Sequence, residues 1–241
     1  MTGQSDSRAD TEAERRITRL AAMAEPVRRS LYRWVSAQRE PVTREQAANG
    51  VGVPHHVAKF NLDRLVDDGF LDADYRRPPG RGGPGAGRPA KVYCRSSGEV
   101  GVSVPERHYD VAGLLLARGV AEAERTHTPV ATAVRQAARE HGRTVAGEVV
   151  SRSPSRRSPL TRAADVLATN GYEPCVENNA ITLSNCPFHS LAREEAELVC
   201  GMNLALVEGM LDTAGSDTLE AVLQPVEGRC CVRIQRRDPA D

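Results

Sequence analysis

Six cysteines, at positions 94, 175, 186, 200, 230 and 231, carry the most chemistry in the chain, and five of them fall in its last 70 residues. Thiolates are soft, strongly donating ligands that suit zinc or an iron–sulfur cluster. Grouped cysteines in a cytoplasmic protein read first as metal, cluster or redox sites, because disulfides rarely serve as structure there. A lone cysteine is more often a small buried hydrophobe, and Cys94 is read that way. The informative tracts are NCPFHSLAREEAELVC (185–200) and GRCCV (228–232), in which 13 residues separate Cys186 from Cys200. There is no C-x-x-C pair, so spacing leaves both a cluster and zinc open.

A second chemistry lies in the charge distribution. The 32 basic and 32 acidic residues cancel, yet residues 1–97 hold 17 Lys/Arg against 12 Asp/Glu, net +5, which leaves net −5 for the remainder. Between 76 and 95 stand Arg76, Arg77, Arg81, Arg88, Lys91 and Arg95 with no acidic residue. The first part is therefore the one to meet a polyanion.

The elements that position these residues differ between the two parts. Pro26 opens a helix to about Gln38, Thr43 with Gln46 makes a capping-box start for 44–49, and Pro54 opens a third helix that Gly69 ends. On this third helix Ala58, Leu62, Leu65 and Val66 face inward, while His55, His56, Lys59 and Arg64 lie outward or on the flank. Two short strands, 70–75 and 91–93, then bracket the Gly- and Pro-rich insert PPGRGGPGAGRP, whose arginines can follow a phosphate backbone or minor groove. Helix, helix, helix, strand, basic loop, strand is the winged helix-turn-helix order, and its second short helix suits the major groove of double-stranded DNA.

Past Pro105 the pattern becomes helical and acidic, with helices expected at 109–124, from 129 to about 141 and at 160–168, then strands at 172–177 and 180–183, a long helix, and a closing hairpin of 219–223 with 230–234. The fold class is α+β, with a DNA-binding domain at 23–97 and a sensor and dimerisation domain at 105–236. No Gly-rich phosphate loop, G-x-S-x-G elbow or H-E-x-x-H site is present, so the chain reads as a regulator and not an enzyme. No run of 18 apolar residues exists and the N-terminus lacks the order of a secretion signal, so a cytoplasmic protein without a membrane span is expected.

Two geometric constraints bear on the thiols. Were 189–200 one helix, Cys200 would lie about 16 Å beyond His189, so a shared centre requires residues 186–191 to fold back as a loop. In the strand YEPCVE, Cys175 shares its face with Glu173 and Glu177 and is expected in solvent; Cys231 is expected on the strand face opposite Cys230.

VPHHVAKFNLDRLVDDGFLDADYRRP followed by GRPAKVY resembles the winged-helix repressors of the broad ArsR superfamily. The resemblance implies a homodimer on an inverted-repeat operator, with His55, His56, Lys59 and Asn61 toward base edges and Arg64, Arg76, Arg77, Arg81, Arg88 and Lys91 toward phosphates. Over residues 26–235, NCPFHSLA, VCGMNLALVEGML and CCV are similar to the narrower group of SufR-type repressors, which control genes for cluster assembly. That likeness implies an iron–sulfur cluster of the 4Fe-4S kind on Cys186, Cys200 and Cys230. The fourth ligand stays open among His189, Cys175, Cys231 and a group from outside the chain. The alternative is a zinc-stabilised regulator that answers to a small organic ligand.

Overall fold

Local sequence signals start and stop most of the helices of the first unit. The structure, a computed structural model, describes residues 6–77, 89–152, 157–214 and 217–237. Packing divides the chain into two compact units, one within 10–102 and the other within 103–241. In the first, α1 (Asp6–Ala22) precedes α2 (Pro26–Ser36), where the Glu25 carboxylate accepts from the Val27 and Arg28 N–H groups at 3.1 and 2.5 Å. A short strand β1 (Val42–Thr43) leads into α3 (Arg44–Val51), whose capping box joins Thr43 and Gln46 reciprocally. Gly52, in the left-handed region at φ +74°, closes α3 and turns the chain into α4 (His55–Asp67). Strands β2 (Leu71–Arg76) and β3 (Ala90–Arg95) pair antiparallel from Leu71 opposite Arg95 to Arg76 opposite Ala90, and β1 adds to the other edge of β3. Leu31, Ala47, Ala58, Leu62, Leu65 and Tyr93 are fully buried between them.

Sequence reading left residues 1–22 without a helix. Helix α1 forms from residues of good intrinsic propensity, Ala, Glu and Arg, without the broad apolar stripe that marks a helix by periodicity. Its last turn is tied down when Arg19 Nε donates to the Asp68 carbonyl at 2.6 Å.

The second unit is an α+β arrangement around one central helix. Helices α5 (Tyr109–Thr126), α6 (Val130–Arg152) and α7 (Pro159–Thr169) come first, followed by hairpin β4 (Pro174–Glu177) and β5 (Ala180–Leu183). Asn178 and Asn179 both take positive φ, 48° and 61°, as a tight two-residue hairpin turn demands. Helices α8 (His189–Glu194) and α9 (Ala196–Thr213) lead to β6 (Leu219–Leu223) and β7 (Val232–Arg236), and the sheet runs β4-β5-β7-β6, antiparallel throughout. Helix α9 is buried nearly all round, from Val199 to Leu211, which is the pattern of a helix inside a core. It crosses α6 at very close range. An added Cβ on Gly209 would lie 2.0 Å from the Arg139 carbonyl oxygen, and one on Gly142 would lie 2.1 Å from that of Leu206. No helix among the described residues is long and apolar enough to cross a membrane.

Candidate functional sites

The first site is the outward face of α4. Ala58, Asn61, Leu62 and Leu65 face the core, which leaves His55, His56, Lys59 and Phe60 exposed together. Asp63 sits on the same side, half-buried, and accepts from Lys91 Nζ at 2.7 Å and from the Tyr93 hydroxyl at 3.0 Å. Burial pushes the Asp63 carboxyl upward, but the hydrogen bonds from Lys91 and Tyr93 outweigh it and hold the group below its usual range. An acid beside the exposed face of this helix is thus neutralised from within. Arg64 is exposed and pairs with Asp68 at 2.9 Å, Arg76 pairs with Asp74 at 3.5 Å, and Arg77 is exposed. Arg81 and Arg88 lie outside the described residues.

Two of the expected DNA contacts are engaged within the chain. Asn61 is 6% exposed, its Oδ1 accepts from Arg28 Nε at 3.1 Å and its Nδ2 donates to the Val57 carbonyl at 3.0 Å. It stands three residues after Ala58 and four before Leu65, so helical periodicity alone carries it inward, and its amide joins α4 to α2. Lys91 pairs with Asp63 and lies 5.2 Å above the Tyr93 ring, which fastens strand β3 to α4. Asn61→Ala should therefore cost about 1–3 kcal/mol of stability by leaving Arg28 Nε without its partner, while any residual loss of affinity falls equally on operator and random DNA. Denaturant melts and competition binding would check this, and selective loss of recognition at one base step would place the side chain outside after all.

Phe60 is the residue that sequence reasoning passed over. It is 67% exposed on the open face of α4, although an aromatic ring ordinarily seeks the core. The signal was available, because Phe60 is out of phase with Ala58, Leu62 and Leu65.

The second site is built on thiols. Cys186 lies in the loop after β5, Cys200 in the second turn of α9, and Cys230 and Cys231 just before β7. Cys200 and Cys231 are in sulfur–sulfur contact at 3.4 Å, the Cys230 thiol donates to Cys186, and Cys186 also bears electrostatically on Cys200. Four of the six thiols thus come as two pairs, Cys200 with Cys231 and Cys186 with Cys230, drawn from a loop, a helix and the approach to a strand. The hydrogen bond from Cys230 brings the Cys186 thiol down to about 7; burial opposes this, and the Phe188 N–H and the Arg107 guanidinium assist it. Burial, then the Cys231 contact, push Cys200 up to about 12, and Cys230 is pushed far up by its bond to Cys186 and by burial.

Polar side chains hold this arrangement in place. Asn203, 2% exposed in α9, accepts from the Tyr172 hydroxyl and donates from Nδ2 to Cys230 Sγ at 3.3 Å. Burial holds Tyr172 well above its ordinary pKa, so it remains a donor. Asn185 donates to the carbonyls of Glu106 and Gly171 at 2.9 and 2.7 Å and accepts from Arg107, which also reaches the Cys186 carbonyl at 3.3 Å. Neither asparagine was singled out by sequence, because an amide buried by tertiary packing has no local signature.

The structure meets the distance constraint in a way not anticipated. Residues 189–200 are not one helix with a folded-back loop before it; the chain breaks at Glu195, φ −134° and ψ 67°, into α8 and α9. Strand β7 starts at Val232, so side-chain alternation does not govern Cys230 and Cys231, and both join the group. His189 is exposed at the start of α8, and no hydrogen bond joins its imidazole to a thiol among the described residues. Cys175 is exposed in β4 and donates to Glu177 Oε1 at 3.4 Å. Among the described residues, no three His, Cys, Asp or Glu side chains are collected around a point suited to a single metal ion.

Comparison with known proteins bears on the first site. No curated protein and no solved structure matches the chain. Residues 23–72 match the family model of a helix-turn-helix domain. That match falls on α2, α3 and α4 and ends as β2 begins. With α4 exposed along one face and the β2–β3 hairpin after it, this unit has the helix-turn-helix and strand order of a DNA-binding transcriptional regulator.

Proposed function

We propose that the protein is a homodimeric repressor of iron–sulfur cluster assembly genes, which senses through a cluster held by Cys186, Cys200, Cys230 and Cys231. The observation that carries the reading is the convergence of these four thiols from separate elements of the second unit. The donor set fits the group: four sulfurs, two of them half of a contact pair each, with one already inclined to the thiolate form that iron requires. A cluster takes its thiolates on different irons, so it asks for sulfurs spread around a volume, whereas zinc asks for four donors around one point. The Cys200–Cys231 contact at 3.4 Å would suit two donors of one metal ion, so zinc stays the alternative. A small organic effector is poorly served by the hollow between His108, His141, Tyr172 and Phe188, about 280 Å³ with its open mouth included. When bound, the cluster supplies a centre sensitive to iron, sulfide and oxidants; the chain's own share is to bring α9 and the segment before β7 to one place. The regulated genes follow from the SufR-type resemblance of the cysteine tracts.

Anaerobic reconstitution with iron and sulfide tests the reading. A brown protein with matched iron and sulfide content, and DNA binding that differs between loaded and metal-free forms, is expected; colourless protein with one zinc establishes the alternative. Equal affinity of both forms for the operator would remove the sensing role.

On the DNA, His55, His56 and Lys59 are offered to base edges, and Phe60 offers an apolar surface to a thymine methyl. Lys59→Ala should cost about 1–3 kcal/mol at one base step and little on random DNA, whereas Arg77→Ala should weaken both alike. Binding should also fall with salt at a log–log slope of about −0.9 for each phosphate neutralised. Competition assays across salt and single-base operator variants give both readouts, and a flat salt response would take the basic wing off the backbone.

A further inference from the structure

Two of the thiols lie closer than ligands of separate metal atoms need to be. Cys200 Sγ lies 3.4 Å from Cys231 Sγ, across 31 residues of sequence. Both are half-buried and reachable, and neither is in a disulfide. We infer that Cys200 and Cys231 form a reversible peroxide-oxidised disulfide site, which locks helix α9 to the segment that enters β7.

The chemistry needs only a hydroperoxide as oxidant. One of the two sulfurs, as its thiolate, attacks a peroxide oxygen; the O–O bond breaks, the departing hydroxide takes up the proton the thiol lost, and the sulfur becomes a sulfenic acid. The second sulfur then attacks the sulfenic sulfur, the S–S bond forms, and the hydroxyl leaves with the second thiol proton as water. Two thiols and one hydrogen peroxide give one disulfide and two waters. A bond of about 2.05 Å requires the sulfurs to approach by little more than an ångström, within reach of side-chain rotation and a small movement at Cys231, which sits in a bend outside the strand.

Proximity, not exposure, selects this pair. Cys175 is the most accessible thiol of the second unit, yet its partner is the Glu177 carboxylate, which lacks a sulfur to resolve a sulfenic acid. Cys230 is buried and bonded to Asn203 and Cys186, which keeps it from competing for Cys200. The bond withdraws two of the four sulfurs, so oxidation and cluster occupancy exclude each other; that consequence rests on the proposed function, but the bond itself does not.

The test uses the reduced, metal-free full chain treated with a small excess of hydrogen peroxide, then alkylated under denaturing conditions, digested with trypsin and weighed. Trypsin places Cys200 in peptide 194–229 and Cys230 with Cys231 in peptide 230–233. The two peptides should emerge joined, separate on reduction, stay joined when Cys230→Ser is treated, and stay apart when Cys231→Ser is treated, with far-UV circular dichroism unchanged in both variants. Cys94 and Cys175 should remain alkylated throughout. Unjoined peptides in the wild-type chain, or a link that survives Cys231→Ser and is lost in Cys230→Ser, overturns the inference, and neither result depends on whether a cluster was ever bound.

Discussion

Alanine at Cys231 should leave the anaerobically reconstituted protein without its cluster, as should alanine at Cys186, Cys200 or Cys230, while Cys175→Ala and His189→Ala keep a normal spectrum, iron content and lifetime. Cys231 belongs with the other three because it touches Cys200 at 3.4 Å, and because the dipeptide it shares with Cys230 precedes β7. Outside a strand, adjacent residues are free to direct both side chains to one side, and here one thiol meets α9 while the other meets the loop before α8. His189 has the opposite geometry: it begins a short helix, exposed, with its backbone N–H engaged by the Cys186 carbonyl at 3.1 Å. Iron and sulfide counts with visible spectra of the six variants decide the matter. An unchanged, equally long-lived cluster in Cys231→Ala together with loss in His189→Ala would reverse the assignment of the fourth ligand.

Gly209→Ala should destabilise the second unit by about 3 kcal/mol or more and lower its melting temperature by about 10 °C. The added methyl would stand 2.0 Å from the Arg139 carbonyl oxygen and within 3.0 Å of two other backbone atoms of that residue, and helix backbone cannot rotate aside as a side chain can. Helices α6 and α9 would have to separate, opening gaps around Met202, Leu206 and Met210, which are buried in that core. Gly142→Ala meets the Leu206 carbonyl at 2.1 Å and should behave alike. The control is Gly113 in α5, where an added Cβ meets nothing within 4 Å; there alanine should stabilise by about 0.5–1 kcal/mol through helix propensity. Thermal melts of the three variants suffice, and a Gly209→Ala protein as stable as the parent would mean that the two helices do not cross this closely.

How much of this was legible in the residues depends on the range of the interaction that decides each feature. Short-range signals read directly: Pro26 and Pro54 at helix starts, the Thr43–Gln46 box, the turn at Gly52, the stop at Gly69 with φ +73°, and the Asn178–Asn179 hairpin. The order of elements in the first unit followed from them, as did the α+β class of the chain. Features set by tertiary partners did not read. Asn61 looks like a base reader until Arg28, 33 residues away, is seen to hold it. Lys91 looks like a wing cation until Asp63 arrives beneath it. The break at Glu195 has neither glycine nor proline to announce it, and the strand that was expected from Cys230 begins two residues later, with Val232 opposite Leu223 of β6. In the thiol site the candidates Cys186, Cys200 and Cys230 were visible from residue type and family likeness, whereas the company of Cys231 and Asn203 is a product of packing alone.

The inward anchoring of α4 has a practical side. Ala58, Asn61, Leu62 and Leu65 attach the helix to its domain and Asp63 is committed to Lys91, but His55, His56, Lys59 and Phe60 have no hydrogen bond or ion pair to any other part of the chain among the described residues. Four adjacent positions can therefore be randomised as a library without disturbing the scaffold that carries them. Selection on altered operators should then return promoters and regulators that ignore the parent pair, each still wired to the same thiol-bearing unit.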